Sequence, residues 1–288
     1  MERWRPEAEG NPGQHYRMSG AARTGVGSLI AHAGDPAGAP YTRPMQAAIR
    51  IREAVARVGD LHRRCAAEPS LDAALHEVKR FQAQRFAGTY ADLLDGGSYA
   101  PAARFFLEEL YSDRDYRERD AQFARIAGAL ERLFPEAVVA TAVALADLHA
   151  LTESLDTEMA LAWHGADGPP VRRYHRAWTA VGQRTLRDTQ LREVLAMGED
   201  LARLTRTPGL RLMLRMMRGP AQAAGLGALQ HFLERGFDTF AAMARARGQV
   251  EGFLGLIRER EARLIAVLFE ESSVACETEL ARILGQAR

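Results

Sequence analysis

The stretch EAVVATAVALADLHALTESLDTEMALAWH, residues 136–164, decides how this chain folds. It is long and apolar, and it stops at Gly165-Ala166-Asp167-Gly168-Pro169-Pro170. Leu145, Leu148, Thr152, Leu155 and Met159 recur at the spacing of one helical stripe, so the segment reads as a helix. His149, Glu153 and Asp156 fall at i, i+4 and i+7 on the stripe beside it. An imidazole and a carboxylate one turn apart can share a metal ion, and helix bundles build di-iron sites in this way. His149, Glu153 and Asp156 are therefore candidate metal ligands. The di-iron pattern needs paired Glu-x-x-His elements, which the chain lacks. A single ion needs ligands from other helices, and His76, Glu77 and His175 are available. The plain alternative is a partly buried histidine hydrogen-bonded to a neighbouring carboxylate.

Helical pattern extends outward in both directions from this segment. It begins at Thr42, with Pro44 suited to a first turn and Ile49, Ile51, Val55, Val58 and Leu61 forming a loose stripe. Pro69-Ser70 stops that helix, and the Ser70 hydroxyl is placed to cap the next. The second helix runs to Asp95-Gly96-Gly97. A short third covers Ala102 to Tyr111, and a fourth ends at Pro135. After the loop at 165–170, a helix starts near Val171 and breaks at Gly182. Pattern then resumes to Thr205, restarts at Thr207-Pro208, is interrupted at Gly219-Pro220, and breaks again near Arg247-Gly248 and Ser272-Ser273. No run of alternating β-branched residues bounded by turn dipeptides occurs, and no fixed-period repeat. The expected fold is an all-α, multi-helix bundle of about eight to ten helices.

Residues 1–41 are rich in Gly, Pro, Ala and Arg and show no sustained period. Such a segment buries too little apolar surface to offset its chain entropy, so it reads as a disordered N-terminal arm. A true start at Met18 or Met45 is the alternative. Residues 42–288 form one helical domain, with 165–170 as its internal boundary.

The chain has 288 residues, is 47% hydrophobic, and carries a formal net charge of +1. That is enough apolar material for a sizeable core and no global field for an acidic partner. Lys79 is the only lysine among 38 basic residues. The arginines are spread over the whole chain, which fits coding bias better than selection for guanidinium groups. Cys65 and Cys276 lie far apart and form no CxxC, so they read as two thiols of a reducing cytoplasm. There is no secretory h-region. The longest uncharged stretch, Gly219 to Leu233, is too short for the roughly 20 apolar residues of a bilayer span. A soluble, cytoplasmic protein without a transmembrane segment is expected.

Two charged surfaces stand out. Arg104-Phe105-Phe106-Leu107-Glu108-Glu109-Leu110-Tyr111 continues into Ser112 to Phe123, which adds Asp113, Asp115, Glu118 and Asp120 among Arg114, Arg117 and Arg119. Glu108 and Glu109 fall mostly opposite the apolar face, as an acidic docking surface, as part of a carboxylate cluster for a cation, or as part of an ordinary solvated corner with local Arg–carboxylate pairs. Arg203, Arg206, Arg211, Arg215 and Arg218 follow one another without an intervening acid, and the last three share a helical face among Leu and Met residues. Such a basic, Met-rich face suits anionic lipid, a phosphate or an acidic partner; the alternative is a core helix with an arginine rim.

The segment 104–123 resembles the FFLEELY-motif proteins, a bacterial group. The stretch Met217 to Phe237, with Gly219-Pro220 and Gly225-Leu226-Gly227, is similar to the same group. The resemblance covers roughly Met45 to Glu271. It implies a cytoplasmic bacterial origin and brings with it no reaction, cofactor or catalytic residue.

Catalytic signatures are missing. Gly225-Leu226-Gly227 lacks the preceding strand and the spacing of a phosphate loop. There is no Gly-x-Ser-x-Gly elbow and no local Cys–His signature. Trp163, Trp178 and Tyr174 are placed to line an apolar pocket with His164 and His175, or to anchor the 165–170 loop. Two functions follow. The first is a non-enzymatic interaction or scaffold protein that docks a protein partner, or itself as a homo-oligomer, through Arg211, Arg215 and Arg218 or through Glu108 and Glu109. The second is a helical-bundle metal- or small-ligand-binding protein or enzyme that uses His149, Glu153 and Asp156. Nucleic-acid binding is disfavoured by the single lysine, the balanced charge and the absence of a reader motif. No cofactor is indicated.

Overall fold

The computed structural model describes residues 43–110, 114 and 116–287. The expected arm, residues 1–41, lies outside the described residues, as do Tyr111, Asp113 and Asp115 of the acidic corner. The described residues form thirteen helices and no strand, in agreement with an all-α chain. In order these are α1 (Arg43–Ala66), α2 (Pro69–Thr89), α3 (Ala91–Leu94), α4 (Ala100–Glu109), α5 (Arg117–Leu133), α6 (Glu136–His164), α7 (Pro170–Val181), α8 (Arg184–Leu204), α9 (Leu210–Met216), α10 (Arg218–Ala223), α11 (Gly227–Met243), α12 (Gln249–Glu270) and α13 (Ser273–Leu284).

The count exceeds the expected eight to ten because three short helices, α3, α9 and α10, arise where tertiary contacts break a longer pattern. α2 ends at Thr89 rather than running on to Asp95, because Tyr90 leaves helical geometry. It buries its ring 4.5 Å from that of Phe86 and donates its hydroxyl to Glu261 at 3.0 Å. The break expected at Gly219-Pro220 falls at Met217, and the chain restarts as α10 with Pro220 inside it. Pro220 sits in the first turn of α10, where an N–H has no intrahelical acceptor to lose. Ser70 does not cap α2. The cap position is Glu68, and the Ser70 hydroxyl donates to the Glu68 carboxylate at 3.2 Å. Ser272 does cap α13, accepting from the Ala275 N–H at 3.3 Å.

α6 is the axis of the bundle. α1, α2, α7 and α8 pack around it, and α7 folds back onto it across the 165–170 turn. Its length and composition would also suffice to cross a bilayer. The core is divided in two along α6. One apolar cluster takes Val143, Ala146 and Ala150 with Ile51, Phe105, Phe106, Phe123 and Phe253. The other takes Met159, Ala160 and Trp163 with Phe81, Tyr174, Trp178, Ile265 and Leu280. The polar stripe His149–Glu153–Asp156 lies on the α6 segment between them.

Candidate functional site

Between the two clusters the helices leave a cavity of about 140 Å³. α2 contributes Lys79, Gln82 and Arg85 to its wall, and α5 contributes Arg119 and Asp120. α6 adds His149, Thr152, Glu153 and Asp156; α7, Tyr174 and Trp178; α8, Arg187 and Gln190; α12, Glu261. This many ionisable groups at depth must be paired, and most are. Lys79 Nζ donates to both Glu153 oxygens, at 2.7 and 2.9 Å, and His62 Nε2–H donates to Glu153 Oε2 at 2.8 Å. His149 Nε2–H donates to Asp120 Oδ2 at 2.8 Å, and Arg119 also reaches Asp120, at 3.2 Å. Arg85 Nη1 donates to Glu261 at 2.5 Å, and Gln82 donates to Asp156 at 3.0 Å.

These pairings set the proton affinities. Burial pushes the Glu153 carboxyl up, but the His62 hydrogen bond and the Lys79 and His149 charges more than reverse this and hold it at about 2. Burial also opposes the charge on Lys79, and the Glu153 and Asp156 carboxylates outweigh it, so the ammonium is held above its usual range. Asp156 goes the other way. Burial raises it, and Lys79, Arg187 and the Gln82 hydrogen bond do not bring it back.

Arg187 is the exception. It is 5% exposed. Its guanidinium lies 4.4 Å from the Trp178 ring centroid, and its one hydrogen bond is a long contact of 3.4 Å to Gln190 Oε1. Its Nε and Nη2, and the neighbouring Trp178 Nε1, are buried without an acceptor among the described residues. Among the described residues it forms no ion pair. A buried donor left in this state costs about 1–3 kcal/mol, more when charged, so Arg187 is an incompletely paired positive charge in the cavity wall.

A second cavity, about 260 Å³, adjoins the first and is almost wholly apolar. Leu145, Leu148, Val194 and Phe232 line both. Ala142, Met197, Leu201, Leu204, Leu210 and Phe237 line the second alone, and Leu133, 62% exposed, marks where it reaches the surface.

The expected site residues divide accordingly. His149, Glu153 and Asp156 all line the polar cavity, but each has a separate protein partner. Among the described residues no group of three or more His, Cys, Asp and Glu side chains is arranged to hold a metal ion. His76 is exposed beside Asp72, Glu77 accepts from Trp163 Nε1 and Arg173, and His175 is buried beside Thr179; none faces the cluster. Tyr174 and Trp178 line the cavity, whereas Trp163 packs against Phe81 and His164 is exposed. The arginine face is compensated after all. Arg211 pairs with Asp238 at 2.7 Å and Arg218 with Glu234 at 2.6 Å, through acids that α11 brings back from 16 to 27 residues downstream. Arg215 stays exposed on the outer face with Leu212 and Met216. Glu108 and Glu109 are both held by Arg235 of α11, Glu108 at 2.7 Å. The two resembling stretches thus meet in space. Phe105 stacks on Phe232 at 5.9 Å and lies over Gly236, and Gln122 Oε1 accepts the Leu229 N–H at 2.8 Å.

Local spacing does not single out Arg187 or His62, which come from distant helices, and Asp120, read as part of the acidic corner, is instead buried against His149. Lys79 carried a signal: a lone lysine in an arginine-rich chain marks a position where a compact ammonium is kept.

A family model described as a domain of unknown function (DUF8198) matches residues 61–275, about three quarters of the chain. No curated protein matches, and no solved structure matches.

Proposed function

The chain belongs to the DUF8198 family, and from its interior we propose that it is a helical-bundle binder of a small anionic molecule, with Arg187 as the anchor. One observation carries this: Arg187, 95% buried, lines the polar cavity with Nε and Nη2 lacking an acceptor and, among the described residues, no carboxylate within ion-pair distance. Protein interiors satisfy such groups with partners, water or ligand, and a carboxylate or phosphate matches the planar fork. The resemblance of residues 104–123 and 217–237 to the FFLEELY-motif proteins supports a bacterial, cytoplasmic setting for this binder.

The test is Arg187→Met, with acetate and inorganic phosphate as probes. In wild type, at least one of the two anions raises the melting temperature as its concentration exceeds its dissociation constant. The variant binds that anion at least about tenfold more weakly. The unliganded variant is as stable as wild type or up to about 2 kcal/mol more stable, because an unsatisfied buried charge is gone. An equal response of the variant, or no response of wild type to these anions or to a longer-chain carboxylate or phosphate, would overturn the proposal. A metal version held by His149, Glu153 and Asp156 is tested separately by elemental analysis of the purified chain. The separate pairing of the three side chains predicts substoichiometric transition metal.

A second reading, an interaction protein, keeps one supporting observation. Leu212 and Met216 on α9 are 61% and 63% exposed, with Arg215 between them. The partner under this reading is a second copy of the chain. Sedimentation equilibrium of Leu212→Asp/Met216→Asp against wild type tests it: a wild type that is already monomeric removes it.

A further inference from the structure

We infer that the anionic molecule is a single-chain amphiphile, whose oxyanion head sits at Arg187 and whose apolar tail fills the adjoining cavity. This rests on the reading that Arg187 anchors an anion, and it adds the ligand class.

The argument follows α6 and α8. Gln190 of α8 donates to Thr152 of α6 at 2.9 Å, which fixes the polar end of the helix pair beside Arg187. From there one face of α8 turns apolar: Leu191 and Val194 line the polar cavity, and Val194, Met197 and Leu201 line the apolar one. α6 changes in the same direction, from Thr152 and His149 through Leu148 and Leu145 to Ala142. From Arg187 to Leu201 is about 21 Å at 1.5 Å per residue, so the two helices carry a wall common to both adjoining cavities, charged at one end and apolar at the other. A small dicarboxylate or a sugar phosphate would leave the apolar end empty; a neutral hydrocarbon would leave Arg187 unanswered. Only a molecule with both parts meets both demands. The head can be carboxylate or phosphate, since a guanidinium fork accepts either.

Isothermal titration of the full chain tests this, with acetate, octanoate, decanoate, decyl phosphate and decanol, all below micellar concentration. Affinity is expected to rise from acetate to decanoate by up to about fourfold per buried methylene. Decanol is expected to bind at least about tenfold more weakly than decanoate or decyl phosphate, since it cannot make a charge-assisted bond to Arg187. Ala142→Phe, which fills the apolar end, is expected to abolish the gain with chain length and leave binding of the short anion unchanged. The chain-length series on wild type stands alone should that variant not fold. Anion binding without a chain-length gain would overturn the amphiphile and leave the Arg187 reading intact. A chain-length gain with decanol equal to decanoate would overturn the anion anchor. Binding of none of the probes would overturn both. A preference of decanoate over decyl phosphate, or the reverse, within an otherwise positive series supports the inference and assigns the head.

Discussion

At the residue scale, the site is governed by which buried charges have partners. Glu153 and Asp156 lie one helical turn apart on α6, yet they titrate in opposite directions. For Glu153 the folded carboxyl is held at about 2, below its ordinary 4.5. Its contribution is therefore fully present above about pH 4.5 and is lost as pH falls towards 2. Glu153→Gln should destabilise the protein by about 3 kcal/mol at pH 7, and the deficit relative to wild type should narrow as the pH is lowered below the ordinary carboxylate range towards 2. For Asp156 the shift is upward. Its contribution is present below the ordinary carboxylate range and is lost as pH rises through the folded value. Asp156→Asn keeps an oxygen to accept from Gln82 and should stabilise the protein at pH 7, with the advantage shrinking towards pH 4. Urea unfolding of both variants at pH 4 and pH 7 reads the two signs against each other. A destabilised Asp156→Asn protein at neutral pH would contradict this account of the cavity.

At the scale of elements, two backbone positions fix the frame around the site. Gly88 on α2 allows α13 to approach so closely that a Cβ there would lie 2.0 Å from the Ile283 carbonyl oxygen. A methyl group cannot be accommodated without moving α13, and α13 with α7 closes the second core. Gly88→Ala should cost about 2 kcal/mol or more, seen as a lower urea midpoint, whereas Gly219→Ala, where nothing lies within 4 Å, should not. The other position is the Gly182–Gln183 link. Both residues have positive φ, 63° and 60°, and a left-handed glutamine costs about 1–2 kcal/mol. The link turns the chain sharply between α7 and α8, and it places Arg187 one turn into α8 against Trp178 of α7.

At the scale of the molecule, α6 and α12 run through both apolar clusters: Phe253, Leu254 and Ile257 of α12 belong to one, Leu264, Ile265 and Leu268 to the other. Two cores that share long helices should melt together. Thermal unfolding followed by tryptophan fluorescence, which reports Trp163 and Trp178 in the second cluster, should coincide with far-ultraviolet dichroism, which reports all the helices. Separated midpoints would show that the clusters fold as independent units.

Much of this architecture was legible in the order of the residues. Apolar periodicity and Gly/Pro punctuation located α6 to its terminal residues, along with the break at Gly182 and the stops near Gly248 and Ser272, because helix formation and termination depend on neighbours within a few positions. The stripe His149–Glu153–Asp156 was visible for the same reason, and it does line the cavity. What those residues do was not visible. The partner of His149 is 29 residues away, those of Glu153 are 74 and 91 away, and the arginine face near Arg211 finds its acids on a different helix. Arg187 looked like one arginine among many. It became singular only when folding buried it beside Trp178 with, among the described residues, no carboxylate within ion-pair distance, because desolvation and pairing are set by distances in space and not by spacing along a chain.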